Sequence, residues 1–532
     1  MHILSNLLVV TTAASGLALT AAAPSHPPYS AASRPGPLQQ LSAPSPPSSL
    51  HLASAPGAAS SSVNGALSFS SPQAKQYYVG NSYPTVPFPV PESWAGLMPI
   101  SQDSQSLKRF FFWLYPAQDE SNDFAIWLNG GPGCSSLEGL LQENGPLSFA
   151  WNVSGFPDQP YVQRNPYSWT NLTNMLWVEQ PVSTGFGTGT PDAKDENDVA
   201  DEFYGFLTNF MATFPELKGK NLYITGESYA GKYIPYIASN IYGRSAEENA
   251  ANGLNLKGIA INDPSFTGNF FGEEAASIEF AKRWQDDLRL SDGFIKALDA
   301  DAAKHNFTNF VEKNLVYPPP KDGIQIPKAY AADDNYDPWG TIYDQATRLN
   351  KNFNVYNVAM SYYTKDSLGY PPAQYTASSK NILNDIQGFK ELIHAPNKTW
   401  LECTAGPVFP TGDASPAPDV SVLPGVIEKS MRTVIQHGSQ DFILLSQGSQ
   451  LAIQNMTWNG ARGFQSKPSA TLIVNGKSAG TYHAERGLTF IEVEGSGHMI
   501  PQDRPATAFK NMQYLLGQID LDQLGKSAQG IL

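Results

Sequence analysis

Short apolar runs that stop at turn-forming residues, with helix-period stretches between them, recur along this chain and restrict it to few folds. Residues 110–114, 124–128, 175–178, 222–225, 256–261, 433–436 and 489–493 read as strands. From Pro191 the period changes: Val199, Phe203, Phe206, Leu207, Phe210, Met211 and Phe214 fall three and four residues apart, one face of a helix. A second helix is expected from Tyr229 to about Tyr242, directly after the strand that breaks at Gly226. Alternation on this scale implies the α/β class, a mostly parallel central sheet covered on both faces. The first two runs flank a turn at 116–123 and read as a hairpin opening the sheet. Between Ser265 and Val426 the alternation gives way to helical and Pro-rich stretches, read as a largely helical insertion.

The rest of the chain bounds its setting. A net charge of −14 excludes a nucleic-acid protein built on a basic face. Beyond the N-terminus no apolar run approaches the roughly 18 to 20 residues of a membrane span. Residues 1–23 read as a secretory signal, an apolar stretch ending in Ala21-Ala22-Ala23. Residues 24–75, rich in Pro, Ser and Ala and without a single acid, read as a pro-segment or an O-glycosylated arm. The expected organisation is then a core at 76–264, an insertion or cap at 265–426, and a second part of the core at 427–525. Five Asn-x-Ser/Thr sequons, at Asn152, Asn171, Asn306, Asn397 and Asn455, support passage through the secretory pathway, secreted or vacuolar. Cys134 and Cys403 are the only cysteines, so no metal-cluster spacing exists, and they form either one disulfide or two buried thiols, the disulfide being expected in an oxidising compartment. Nothing in the sequence calls for a metal or a cofactor.

Four segments carry chemistry. Gly226-Glu227-Ser228-Tyr229-Ala230-Gly231 lies between a strand and a helix, where a serine oxygen is exposed on a tight turn next to a helix N-terminus; Ala230 stands at the second glycine of the G-x-S-x-G pattern. The loop Asn129-Gly130-Gly131-Pro132-Gly133-Cys134-Ser135-Ser136 follows a strand, and its glycines let backbone N–H groups face a site unobstructed, as an oxyanion hole requires. His498 alone among the histidines sits in a loop with a glycine before it at a strand's carboxyl end. Asp441 lies just past another strand, whereas Asp413 and Asp419 sit in a Pro-rich loop with no strand before them. Ser228, Asp441, His498 is the chain order of α/β-hydrolase triads.

These segments, together with Gly497-His498-Met499-Ile500-Pro501, Asn165-Pro166-Tyr167-Ser168-Trp169 and Gln180-Pro181, resemble the serine carboxypeptidases, over most of the chain from about Glu92 to Leu516. The resemblance implies an α/β-hydrolase that releases C-terminal amino acids from peptides or proteins. It implies Ser228 as nucleophile, His498 as general base and then acid, Asp441 as the orienting carboxylate, and the N–H groups of Gly131 and Tyr229 as the oxyanion hole. Asn129, Gly130, Glu143 and Glu227 would hold the substrate's terminal carboxylate. Two adjacent carboxyls suit that task because like charges disfavour double ionisation, so one keeps a proton to donate, an arrangement favoured at acidic pH. The chain departs from the family in having few cysteines, with Leu444 where a cysteine commonly follows the triad aspartate. An esterase, lipase or acyltransferase would use the same triad without the carboxyl pair, and a catalytically silent binding protein would not need the triad intact.

Overall fold

Continuous apolar runs can be hidden only between two layers, and that is where the expected strands lie. The computed structural model describes residues 67–150, 161–360 and 382–526. The expected signal at 1–23, the arm up to residue 66 and the sequon at Asn152 lie outside them. The strands are β1 (Tyr78–Gly80), β2 (Ser93–Pro99), β3 (Arg109–Tyr115), β4 (Asp123–Leu128), β5 (Leu147–Ala150), β6 (Tyr161–Arg164), β7 (Asn174–Glu179), β8 (Asn221–Glu227), β9 (Leu256–Asn262), β10 (Arg432–Gly438), β11 (Thr457–Trp458), β12 (Ala461–Arg462), β13 (Ala470–Val474), β14 (Lys477–Glu485) and β15 (Leu488–Val493). Eleven of them form one sheet in the order β1-β2-β3-β7-β4-β8-β9-β10-β15-β14-β13. From β7 to β15 every pairing is parallel. The pairings outward from β7 through β3 and β2 to β1, and from β15 through β14 to β13, are antiparallel.

The expected hairpin does not form. β7 lies between β3 and β4, antiparallel to the first and parallel to the second. All six residues of β7 are buried, which an interior position satisfies and an edge would not. Skipping one strand position takes about 10 Å, well within the reach of the seven linking residues.

Alternate side chains of each central strand face opposite layers. On one face Phe112 and Phe124 meet the helix Glu196–Thr213, where Phe210 packs 5.3 Å from Phe112, 6.0 Å from Phe124 and 5.7 Å from Phe206, between ring centroids. Asp195 caps that helix by accepting from the backbone N–H groups of Asn197 and Asp198, and the helix Ala230–Gly243 lies beside it. On the other face Phe111, Trp113, Trp127, Trp177 and Val434 share a core with Met512 and Leu515 of the helix Pro505–Leu515. Phe69 sits 4.8 Å from Trp94 and 5.2 Å from Phe214, and Ala74 is buried, so the last part of the segment read as a low-complexity arm packs on the body.

Among the described residues of 265–426 there are helices and no strands of the sheet. Ser291 caps Asp292–Lys304 through the Phe294 N–H, and Asp337 caps Pro338–Leu349 through the Gly340 N–H. Cys134 and Cys403 are disulfide-bonded, and backbone hydrogen bonds from Ser135 to Glu402 and from Thr404 to Gly133 flank the bridge. The segment carrying Cys403 is thereby fixed to the glycine-rich loop after β4. No helix among the described residues is long and apolar enough to cross a membrane.

Phe210 is fully buried where two aromatic layers meet. Phe210→Ala is expected to lower unfolding free energy by about 3 to 5 kcal/mol, read as a lower urea midpoint at unchanged slope. A loss under about 1 kcal/mol would show that the cluster repacks around the gap.

Candidate active site

The carboxyl ends of β4, β8, β9, β10 and β15 bring the expected residues to one edge of the parallel sheet. Ser228 follows β8 with φ 60°, a left-handed turn that lifts the side chain away from both strand and helix. Its N–H donates to Asn262 O at 3.0 Å, and its carbonyl accepts from Gly231 and Ser265 at 2.8 and 2.9 Å. Ala230 serves at the second glycine position because Gly226, opposite it, has no side chain: a Cβ there would lie 3.0 Å from that of Ala230.

The glycine-rich loop comes against this turn. A Cβ on Gly130 would fall 2.4 Å from Tyr229 N and 2.7 Å from Ser228 Cβ, so only glycine allows the two backbones this close. Gly131 has φ 108°, and a Cβ there would meet Cys134 N at 2.7 Å. Tyr229, one expected oxyanion donor, directly follows the serine, and Gly131, the other, directly follows Gly130, whose backbone packs against the Ser228–Tyr229 turn. Tyr229 is held from its other end, its hydroxyl donating to Asp413 Oδ2 at 2.6 Å while Lys232 Nζ reaches the same oxygen at 2.8 Å.

His498 Nδ1 lies 2.7 Å from Asp441 Oδ2, and Asp441 Oδ1 accepts from the N–H groups of Ile443 and Leu444 at 2.9 and 3.4 Å. Burial pushes the Asp441 carboxyl up, but the charge and hydrogen bond of His498, with His437 also 3.6 Å away, outweigh it, leaving it below the usual value. With Nδ1 committed to Asp441, His498 Nε2 is buried without a hydrogen-bond partner; no hydrogen bond joins it to Ser228 Oγ among the described residues. Catalytic hydrogen bonds are often long in free enzymes and tighten with substrate. Asp413, passed over in the sequence for want of a preceding strand, anchors Tyr229 and does not touch His498.

Beside the serine, Glu143 ends a single π-helical turn, Gly139–Glu143, and Glu227 ends β8. Asn129 joins them to the loop: its Oδ1 accepts from Trp127 Nε1 at 2.7 Å, and its Nδ2 donates to Glu227 Oε1 at 2.9 Å. Both glutamates are at most 4% exposed. Both oxygens of Glu143 and Oε2 of Glu227 find no hydrogen-bond partner as drawn. Burial first, and then the charge of Glu143, hold Glu227 well above the carboxylate range; burial likewise raises Glu143. Two such groups side by side disfavour double ionisation.

The sequence reading missed three supporting groups. Asp263, just past β9, has a buried carboxyl next to the triad, the half-buried Asp503 lies close by, and Glu179 lies behind the glycine loop. Asp263 could have been found by the rule that found Asp441, a polar residue directly after a parallel strand. Glu179 accepts from Ser135 Oγ, from Phe186 N at 2.6 Å and from Trp400 Nε1 at 3.0 Å, bracing the residue next to Cys134; no local pattern marks it. Among the sequons, Asn306 and Asn397 are exposed and Asn171 and Asn455 half-buried.

A family model described as serine carboxypeptidase matches residues 84–518. A probable serine carboxypeptidase of Arthroderma benhamiae is 39% identical over 476 residues, covering 84% of this chain and 87% of its own. The serine-type carboxypeptidase F of Aspergillus niger is 36% identical over 480 residues, covering 84% and 88%. The crystal structure of Kex1(delta)p, a prohormone-processing carboxypeptidase from Saccharomyces cerevisiae, shares the fold at a TM-score of 0.65 and 24% identity, over 86% of this chain and 99% of its own. Sheet and turn together define an α/β-hydrolase. The chain belongs to the serine carboxypeptidase family and is a serine-type carboxypeptidase.

The buried acids also set how stability depends on pH. Burial raises Asp419 to about 6, Glu179 and Glu273 to about 7, Glu143 to about 8 and Glu274 to about 9. A carboxyl whose folded pKa lies above its unfolded one contributes stability that is complete below the unfolded value and lost as pH climbs through the folded value. Asp441 and Asp413, held below the ordinary range, act in the opposite sense, and their contribution is lost only in stronger acid. Thermal melts should therefore show the highest Tm near about pH 4 to 5 and a steady fall toward about pH 9. A Tm that rises from pH 5 to pH 8 would contradict these protonation states.

Proposed function

We propose that Ser228, His498 and Asp441 carry out acyl transfer in this carboxypeptidase, and that Asn129, Gly130, Glu143 and Glu227 select peptides and proteins by their C-terminal carboxylate. Serine at its ordinary pKa is a poor nucleophile, so His498 Nε2 takes its proton as Oγ attacks the last peptide carbonyl. Asp441 holds the imidazole in the required tautomer and supports its charge. The oxyanion that forms is met by the N–H groups of Gly131 and Tyr229, beside a helix N-terminus. His498 then returns the proton to the departing amino group, the C-terminal amino acid leaves, and water admitted by the same route frees the shortened peptide from Ser228.

The observation that carries the specificity is the pair of buried glutamates with unpartnered oxygens next to the nucleophile. A carboxylate arriving there accepts a hydrogen bond from the shared proton, so an acidic pair binds an acidic group. As pH rises the proton is lost and the added negative charge repels the substrate, which favours acidic working conditions. The insertion at 265–426, whose described residues hold helices and which is attached to the glycine loop through Cys403, is proposed as the cap over this edge of the sheet. The disulfide and the sequons support a secretory-pathway location, secreted or vacuolar.

Ser228→Ala removes one oxygen from a turn without touching the core, so the rate should fall about a thousandfold or more while the melting curve is preserved. Full activity in the purified variant would remove Ser228 from the role. Glu143→Gln keeps the shape of the pair and a donor but removes its shared titration. kcat/KM on free-acid peptides should then decline less steeply through the upper apparent pKa of the pair, which belongs to both residues. An unaltered alkaline limb would mean that the carboxylate is bound elsewhere.

A further inference from the structure

Among the described residues, Asp263 is the one fully buried acid beside the triad for which the mechanism has no task. It follows β9 directly, in a left-handed conformation with φ 43°, and its N–H donates to Gln436 O at 2.7 Å. Its Oδ1 accepts from the N–H of Gly438, the last residue of β10, at 2.7 Å. Its Oδ2 has no hydrogen-bond partner as drawn, and the side chain is wholly shielded from solvent. Asp263, Asp441 and His498 each bring one polar atom within 4.8 Å of the others.

Charge bookkeeping around this point decides where a proton sits. Facing Asp263 are Asp441 from the loop after β10, His498 and Asp503 from the loop and short helix after β15, His437 from β10 and Glu227 from the end of β8. Asp441 has His498 and two backbone N–H groups. Asp503 accepts from Gly497 N at 2.7 Å and Asn357 Nδ2 at 2.8 Å. His437 Nε2 lies 2.8 Å from Leu444 O and Nδ1 lies 3.1 Å from Ser449 Oγ, a pattern the uncharged ring satisfies by donating to the first and accepting from the second. It passes 3.5 Å from Asp263 and 3.6 Å from Asp441, with no hydrogen bond to either. Asp263, with a single N–H and one empty oxygen, is the least supported as an anion.

We propose that Asp263 is a protonated carboxylic acid whose hydroxyl hydrogen-bonds Asp441 and holds that carboxylate in line with His498, making it a positioning residue of the triad. The chemistry follows from burial: two carboxyls in a dry site cannot both ionise, and the one with the poorer set of donors keeps the proton. Burial and the neighbouring charge of Asp441 push the Asp263 carboxyl well above the carboxylate range, in the same direction. The inference rests on the triad assignment, which Ser228→Ala tests separately.

The experiment uses the full chain with Asp263→Asn and Asp263→Ala, measuring kcat, KM and the acid limb of kcat/KM on one free-acid peptide. Asn reproduces the proposed state, an acceptor for Gly438 and a donor for Asp441 without titration, so its kcat should stay within about threefold of the parent. Ala removes the donor, and kcat should fall about 10- to 100-fold with KM little changed. The acid limb should be the same in Asn and parent, because a neutral group replaces a neutral group. An acid limb displaced downward by about a unit in Asn would show that a negative charge had been removed, and would overturn the proposal. So would a loss in Asn as deep as in Ala, or no loss in Ala. Should Ala fail to fold, the acid limb of Asn decides alone. The same three side chains also have the spacing of a cation site: activity is expected to survive exhaustive dialysis against a chelator, and a loss restored by adding a divalent metal would overturn the proton assignment. Full activity in Ser228→Ala would instead remove the triad reading itself.

Discussion

The parallel pairing of β4 with β8 is the constraint on which this active site depends. In register Leu128 faces Gly226, so the segments that leave the two strands, the glycine loop and the turn at Ser228, emerge side by side. They then approach so closely that a single methyl group on Gly130 would strike the Tyr229 amide. Everything downstream inherits this contact. It packs the glycine loop against the turn at the proposed nucleophile, and it brings Asn129 of one strand's loop to Glu227 of the other strand. It also requires bracing from behind, which Glu179, Ser135 and Trp400 provide next to the disulfide.

The second organising feature is the concentration of carboxyls that water does not reach. Glu143 and Glu227, then Asp263 and Asp441, form two adjoining pairs along the edge of the sheet. In the first, both glutamates are buried and raised, with Asn129 donating to Glu227, an arrangement that would suit the proposed receipt of a carboxylate. In the second the surroundings differ: Asp441 has the imidazole and backbone donors, and Asp263 has little, so charge and proton separate. Burying a lone charge costs far more than burying a neutral acid, so a buried carboxyl here is either paired, as Asp441 is with His498, or favoured in its protonated form. Acid pH would then serve both the fold and the proposed substrate site through Glu143 and Glu227.

Local pattern revealed much of this. The glycine loop, Ser228 and His498 stand beside strand ends where the chain must turn, and short-range residue types record such turns. The central strands were legible because both of their faces are buried. β13 and β14 were not, because their exposed edge positions interrupt the apolar run. The place of β7 between β3 and β4 was hidden for a different reason: strand order is a long-range property, and an apolar run says that a strand is buried without naming its neighbours. Glu179 and Lys232 escaped notice because their partners lie far along the chain, at Trp400 and Asp413. Ser228, Asp441 and His498 stand in the order that the fold imposes; Asp263, which the same strand-end rule marks, shows its partner only once β9 is seen beside β10.

The account turns on a hydrolase that reads a terminal carboxylate with protonated carboxyls. The most direct measurement is mass spectrometry of products from one peptide sequence supplied as the free acid and as the C-terminal amide, at about pH 5. The account predicts stepwise loss of single residues from the free acid and much slower change in the amide. Equal rates on both, or internal fragments from either, would contradict it.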